Sequence, residues 1–238
     1  MLRNNKSLPE SGRSKTNKRK RGNHMNEKTK VQVQGVPETM LQTLYARAQE
    51  SKKPNHHIYD ERAIEVVSRL DYDFSKAESD KAMSLGVIAR TIVLDKLGRR
   101  FSVSLSTRGC LEHCMRYGYA AANRMEGKYD RWYNIDLPET MAVRSRFFEE
   151  QGPIFQIAKS AMDASYMDDI EYHGEPVLVI IEGLTMYLSE ADVKQIFDIL
   201  DKRFSKAVVL VETMSPFVVK HIKEKSIEKS CGRSLHGA

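Results

Sequence analysis

Hydrophobic residues recur along this chain with two different periods, and the change falls near residue 130. Over residues 35–51, GVPETMLQTLYARAQES places Met40, Leu41, Leu44, Tyr45 and Ala48 at helical spacing. Pro37 in the first turn and Glu38 near the positive end of the helix dipole mark its start. After a linker with Pro54, residues 60–70 repeat the pattern through Ala63, Val66, Val67 and Leu70. SLGVIARTIVLDKL, residues 84–97, is apolar almost all round and predicts a helix buried between layers. Arg90 interrupts that run. A buried cation needs a partner, either a structural carboxylate or the carboxylate of a ligand.

From Arg131 onward, short apolar runs alternate with helical patterns, the signature of a parallel sheet built from crossover units. RWYNI, IFQIA, PVLVII and KAVVLVETM read as successive strands. PVLVII is wholly apolar, which predicts a central place in the sheet. Asp136 closes the first strand, and Pro138 starts a helix running toward residue 149. Ser189 and Asp192 form a capping-box variant ahead of a helix expected to turn Val193, Ile196, Phe197 and Leu200 toward the sheet. The expected fold is an α/β three-layer, Rossmann-like sheet over residues 98–238 with an N-terminal helical cap over residues 25–97.

Charge separates the first 24 residues from the rest. The formal net charge of the chain is +6, yet residues 1–24 hold eight lysines and arginines against one glutamate, so the remainder is close to neutral. That tail lacks the apolar core of a secretory signal and has too few hydrophobes to fold, which predicts disorder. Its run Lys18, Arg19, Lys20, Arg21 leaves nucleic-acid binding through the tail as an alternative, but the neutral body offers no basic stripe and no nucleic acid is expected as a partner. No apolar run reaches membrane-spanning length, so no membrane association is expected. Three cysteines suit a reducing cytoplasm better than a disulfide framework.

Acids stand at the carboxyl ends of three successive strands: Asp136, Asp163 and Glu182. Any one could simply cap the following helix. Three together point to the crevice beyond the strand ends, where open parallel sheets bind ligands, and an acid after the second strand suits two ribose hydroxyls. A nucleoside-containing cofactor is the expectation.

The blocks WYNIDLPETMAVRSRFF, AKSAMDASYMDDI and VIIEGLTMYLSEADVKQIFDIL, with GVPETMLQTLYARA and LGVIARTIVLD, resemble the leucine carboxyl methyltransferase family. The likeness is greater to its bacterial polyketide O-methyltransferase-like branch. The resemblance implies a class I methyltransferase that uses S-adenosylmethionine and methylates a carboxyl or hydroxyl oxygen of a small molecule or peptide. It implies that Arg90 pairs with the methionine carboxylate, Asp136 holds the ribose, Asp163 meets the adenine amino group and Glu182 lies beside the cofactor. It also sets Tyr187 near the acceptor pocket, although a tyrosine packed against the sheet reads equally well. No catalytic base is assigned, because His173 precedes its strand at the end away from the crevice.

One family feature is missing. A Gly-x-Gly-[Leu/Met]-Asp-Thr-Arg loop belongs before MEGKYDRWYNIDLPE, where this chain reads SVSLSTRGCLEHCMRYGYAAANRMEG. LSTRG makes a poor buried strand, and Cys110, His113 and Cys114 lack a fourth ligand, so no metal is expected. Back-translating HCMRYGYAA and shifting it by one nucleotide allows Thr-Ala-Cys-Gly-Met-Asp-Thr-Arg, which suggests a compensated frameshift over residues 98–123. The chain is also expected to end before the sixth and seventh strands of such a sheet. The missing loop predicts weak or absent cofactor binding, the unfinished sheet predicts an unpaired edge, and a catalytically inactive remnant is the alternative.

Overall fold

The computed structural model describes residues 28–31, 36–105, 109–113, 129–147 and 152–216. Its N-terminal part is helical, with α1 (Val36–Ser51), α2 (Glu61–Arg69), α3 (Ser75–Ser79) and α4 (Lys81–Leu105), tied by a parallel ribbon of β1 (Thr29–Lys30) and β2 (Leu70–Asp71). A five-stranded sheet follows, made of β3 (Gly109–His113), β4 (Arg131–Asp136), β5 (Ile154–Ala158), β6 (Val177–Ile181) and β7 (Ala207–Val211). All neighbours are parallel, in the order β5-β4-β3-β6-β7. Helices α5 (Pro138–Arg144) and α6 (Glu190–Arg203) follow β4 and β6, and a short 3-10 segment, Ala164–Asp169, follows β5. The chain leaves β3 toward β4 on one side and reaches β6 on the other, so the switch point of the topology lies at β3.

Alternation of side chains builds two cores from one sheet. On one face Tyr133, Ile135, Val177, Val179 and Ile181 pack against Ile196, Leu200 and Phe204 of α6 and its C-cap, and against Tyr166 and Met167 of the 3-10 segment. On the other face Trp132, Ile154, Leu178 and Ile180 meet Leu94 and Phe101 of α4. Ser189 caps α6 in a reciprocal box with Asp192, as the sequence predicts.

Four expectations need correction. β6 is buried at all five positions, but the middle of the sheet belongs to β3. An apolar run reports cover on both faces, which any interior strand has. β3 itself begins at the last residue of LSTRG, inside the segment read as scrambled. Helix α4 is not apolar-covered all round: Val87, Ile88, Leu94 and Phe101 are buried, whereas Leu85 and Val93 are more than half exposed at 71% and 54%. Phe197 on α6 is also exposed, whereas Ile196 and Leu200 are buried against the sheet and Ile199 packs against the same core. In addition, α4 runs straight through positions 97 and 98, where the cap was expected to end. No helix among the described residues is long and apolar enough to cross a membrane.

The cap has its own core, in which Met40, Leu41, Leu44 and Ala48 pack against Ala63, Val66 and Leu70, and Val143 of α5 joins them. A buried ion pair pins it: Arg47 lies 2.6 Å from Asp60, each side chain about 4% exposed. Asp60 also caps α2 by accepting from the Ala63 N–H at 3.0 Å, and its own N–H donates to Ser51 Oγ at 2.9 Å. Removing one partner of a buried pair leaves a charge stranded. Asp60→Ala should therefore cost about 3–5 kcal/mol in urea unfolding; a loss below about 1 kcal/mol, the range of an exposed pair, would contradict this placement.

Candidate functional site

Strand register assembles the site. Ile135, His113, Ile181 and Val211 form one row across β4, β3, β6 and β7. Asp136, Glu182 and Glu212 are each the next residue on their strands, so three acids stand in the following row at the carboxyl edge. Asp136 and Glu182 are buried, at 7% and 3% exposure, while Glu212 is half-buried.

Arg90 reaches this row from α4. Its Nε donates to Glu182 Oε1 at 3.0 Å and its Nη1 to Glu212 Oε1 at 3.2 Å. Glu212 also accepts the Gly183 N–H through Oε2 at 2.8 Å, and its backbone oxygen accepts the Thr185 hydroxyl at 2.7 Å. Gly183 adopts φ 67°, a left-handed conformation that glycine takes without strain, and this turns the chain sharply after β6. The cluster thus fastens α4, the β6 end and the β7 end together.

Asp136 closes β4 and accepts the Leu137 N–H at 2.7 Å. Beside it lies a cavity of about 130 Å³, lined by Asp136, Leu137, Ala161, Met162, Leu184 and Leu188. Apart from that carboxylate the named lining is apolar. Tyr187 borders the same cavity, and its hydroxyl donates to Thr39 Oγ1 of α1 at 3.3 Å, so the cap touches the strand-end loop here.

Asp163 is placed differently. It is exposed, caps the 3-10 segment and accepts the Ser165 N–H at 2.9 Å. That backbone N–H, with the Ser165 hydroxyl, holds its carboxyl below the usual range. Sequence reasoning grouped Asp136, Asp163 and Glu182 as equals; the structure unites Asp136, Glu182 and Arg90 at the strand ends, sets Asp163 as a cap just beyond β5, and adds Glu212. His173 is hydrogen-bonded to Glu171 at 2.9 Å, ahead of β6. Cys110 and His113 fall on β3; Cys114 and the position of the family's glycine loop lie outside the described residues.

A larger recess, about 360 Å³, opens in the cap between α1, α3 and α4 and is lined by Tyr45, Glu50, Lys53, Glu78, Lys81 and Ile88. Lys53 and the His57 N–H hold the Glu50 carboxyl down at about 2. This recess lies in the helical part of the chain rather than at the strand ends, and within it Glu50 pairs with Lys53 at 2.6 Å.

No family model matches the chain. It is 28% identical over 206 residues to the tetracenomycin polyketide synthesis O-methyltransferase TcmP of Streptomyces glaucescens, covering 86% of this chain and 76% of that protein. It is 26% identical over 222 residues to the S-adenosyl-L-methionine-dependent methyltransferase dpfgK of Gibberella zeae, covering 84% of this chain and 74% of that protein. The chain is an S-adenosylmethionine-dependent methyltransferase, similar to TcmP. Its fold agrees: a Thermobifida fusca crystal structure assigned as a methyltransferase superposes with a TM-score of 0.51 at 13% identity, over 79% of this methyltransferase and 74% of that chain.

In this methyltransferase Arg90 donates to the buried Glu182 carboxylate at 3.0 Å, so the cation cannot be lost cheaply. Arg90→Met should destabilise the fold by about 3 kcal/mol, because it strands a buried carboxylate. The double variant Arg90→Met with Glu182→Met should recover at least half of that loss in urea unfolding. Simple additivity of the two single losses would contradict the ion cluster.

Proposed function

We propose that this enzyme transfers the S-adenosylmethionine methyl group to a carboxyl or hydroxyl oxygen of a small polyketide-like molecule. The reading is carried by the strand-end row, in which a buried carboxylate, an apolar slot and an arginine lie where a parallel sheet binds nucleosides. The likeness to TcmP, a polyketide O-methyltransferase, supports an oxygen acceptor of polyketide character, and the likeness to dpfgK supports S-adenosylmethionine as the donor.

The residues present suit the cofactor. Asp136 would accept hydrogen bonds from the ribose hydroxyls, because a carboxylate can accept from both at once. Leu137, Ala161, Met162, Leu184 and Leu188 would sandwich a flat purine, since an apolar slot of this kind gains from displacing water. Asp163, just outside the slot, would meet the adenine amino group with the carboxylate edge that Ser165 leaves open. Arg90 would turn its guanidinium to the methionine carboxylate, and Glu182 would border the same end. Tyr187 and Thr39, joined across the seam between cap and sheet, would border the acceptor.

When bound, the cofactor supplies a methyl carbon already activated by its sulfonium. The protein's task is then alignment of the acceptor oxygen opposite the sulfur and exclusion of water, with no acid or base needed for a carboxylate acceptor. A phenolic acceptor has to shed its proton.

Calorimetric titration tests the reading. The glycine-poor sequence after β3 predicts an S-adenosylmethionine dissociation constant weaker than micromolar but saturable. Asp136→Ala should weaken it a further tenfold or so, the size of a charge-assisted hydrogen bond. Full affinity in that variant would place the ribose elsewhere, and no heat with the parent chain at millimolar cofactor would overturn the reading.

A further inference from the structure

We infer that the side-chain amide of Gln42 receives the methyl acceptor, donating from Nε2 to a carboxylate oxygen of a flat aromatic acid. The inference rests on the methyl-transfer reading above and adds to it a residue that selects the acceptor.

Helical geometry places Gln42. On α1, Met40, Leu41, Leu44 and Ala48 turn into the core of the cap. Thr39 and Gln42 lie three residues apart and so neighbour one another on a different side of the same helix. Thr39 accepts the Tyr187 hydroxyl at 3.3 Å. Further along that side, Ala46 and Gln49 share the cap recess with Ser84 and Ile88 of α4. Gln42 is thus set between the Tyr187 contact and the packing on α4, about one helical turn from the loop that follows β6.

Burial makes this amide unusual. Gln42 is 4% exposed, yet its Nε2 has no hydrogen-bond partner among the described residues. A buried N–H without an acceptor carries its full desolvation cost with no bond in return. A methionine would fill a similar volume without that cost. The amide is accounted for by a partner that arrives with a ligand.

The neighbouring groups define that ligand. The Gln42 amide and the hydroxyls of Thr39 and Tyr187 can each donate, and none of them takes up a proton near neutral pH. Such a row suits an acceptor oxygen that is already ionised, whereas a phenol would first have to lose its proton. One oxygen of a carboxylate held by Gln42 leaves the other free to attack in a fixed direction. That oxygen bonds to the methyl carbon, the carbon–sulfur bond breaks with its electron pair passing to sulfur, and a neutral ester leaves without any proton transfer. The likeness to TcmP supports the aromatic, polyketide-like character of the acid.

Gln42→Met keeps the length of the side chain and removes the donor. The full chain and this variant should be titrated, at saturating S-adenosylhomocysteine, with 3-hydroxy-2-naphthoate and with 2-naphthol, which lacks the carboxylate. We expect the naphthoate to weaken about tenfold in the variant, as for one charge-assisted hydrogen bond, while 2-naphthol and S-adenosylhomocysteine change by less than about twofold. The melting temperature of the ligand-free variant should stay level or rise. A fall of more than about 4 °C, the effect of one lost internal bond in a chain of this size, would show the amide bonded within the protein and overturn the inference. Weaker S-adenosylhomocysteine binding would move the amide to the cofactor and overturn it too, as would an unchanged naphthoate affinity or equal weakening of both naphthalenes. If the parent chain binds S-adenosylhomocysteine but not the naphthoate, the inference falls and the cofactor reading stands; if it binds neither, the cofactor reading itself fails.

Discussion

Arg90 enters a place where most of its guanidinium is out of water, and a charge so placed must be met by opposite charge at hydrogen-bond distance. The acids that meet it come from two strands, so β6 and β7 have to be adjacent, parallel and in register for Glu182 and Glu212 to stand side by side. Helix α4 must in turn lie across the sheet with Leu94 and Phe101 seated on Trp132 and Ile180. One ion cluster thus fixes the relation of the long helix to the strand ends, and it does so at the point where the glycine turn at Gly183 begins the loop to Tyr187.

The same arrangement divides the crevice into a charged end and an apolar end. Arg90, Glu182 and Glu212 occupy the first; Leu137, Met162, Leu184 and Leu188 occupy the second, with Asp136 between sheet and slot. A ligand with a zwitterion at one extremity, hydroxyls in the middle and a flat ring at the other fits such a division, and S-adenosylmethionine has this shape. The cap closes the seam through the Tyr187–Thr39 bond, while its own core and the Arg47–Asp60 pair keep α1 and α2 rigid enough to serve as a wall.

Much of this was legible in the residues. The strands over RWYNI, IFQIA and PVLVII announced themselves by apolar runs, and Ser189 with Asp192 announced α6, because these signals are local. Position in the sheet is not local: β6 and β3 are both interior, and only pairing reveals that Gly109–His113 is the middle strand. Helix α4 misled for a related reason, since an all-apolar run does not say which side will be covered, and Leu85 and Val93 stay more than half exposed. Glu212 was missed although LVIIEG and VVLVET repeat one pattern, an apolar strand followed by glutamate; extending the strand through Met214 hid it. Asp163 shows the converse: its position pointed to a ligand, and the backbone also gives it a capping role.

The central claim is that the nucleoside half of the cofactor occupies the slot beside Asp136. Photolabelling with an 8-azidoadenine analogue of S-adenosylmethionine, followed by peptide mapping, tests it most directly, because the azide reports the place of the ring whether or not turnover occurs. The account predicts competitor-sensitive attachment within residues 135–137, 160–163 or 184–188. Attachment confined to Tyr45, Lys53 or Lys81 in the cap recess would contradict it.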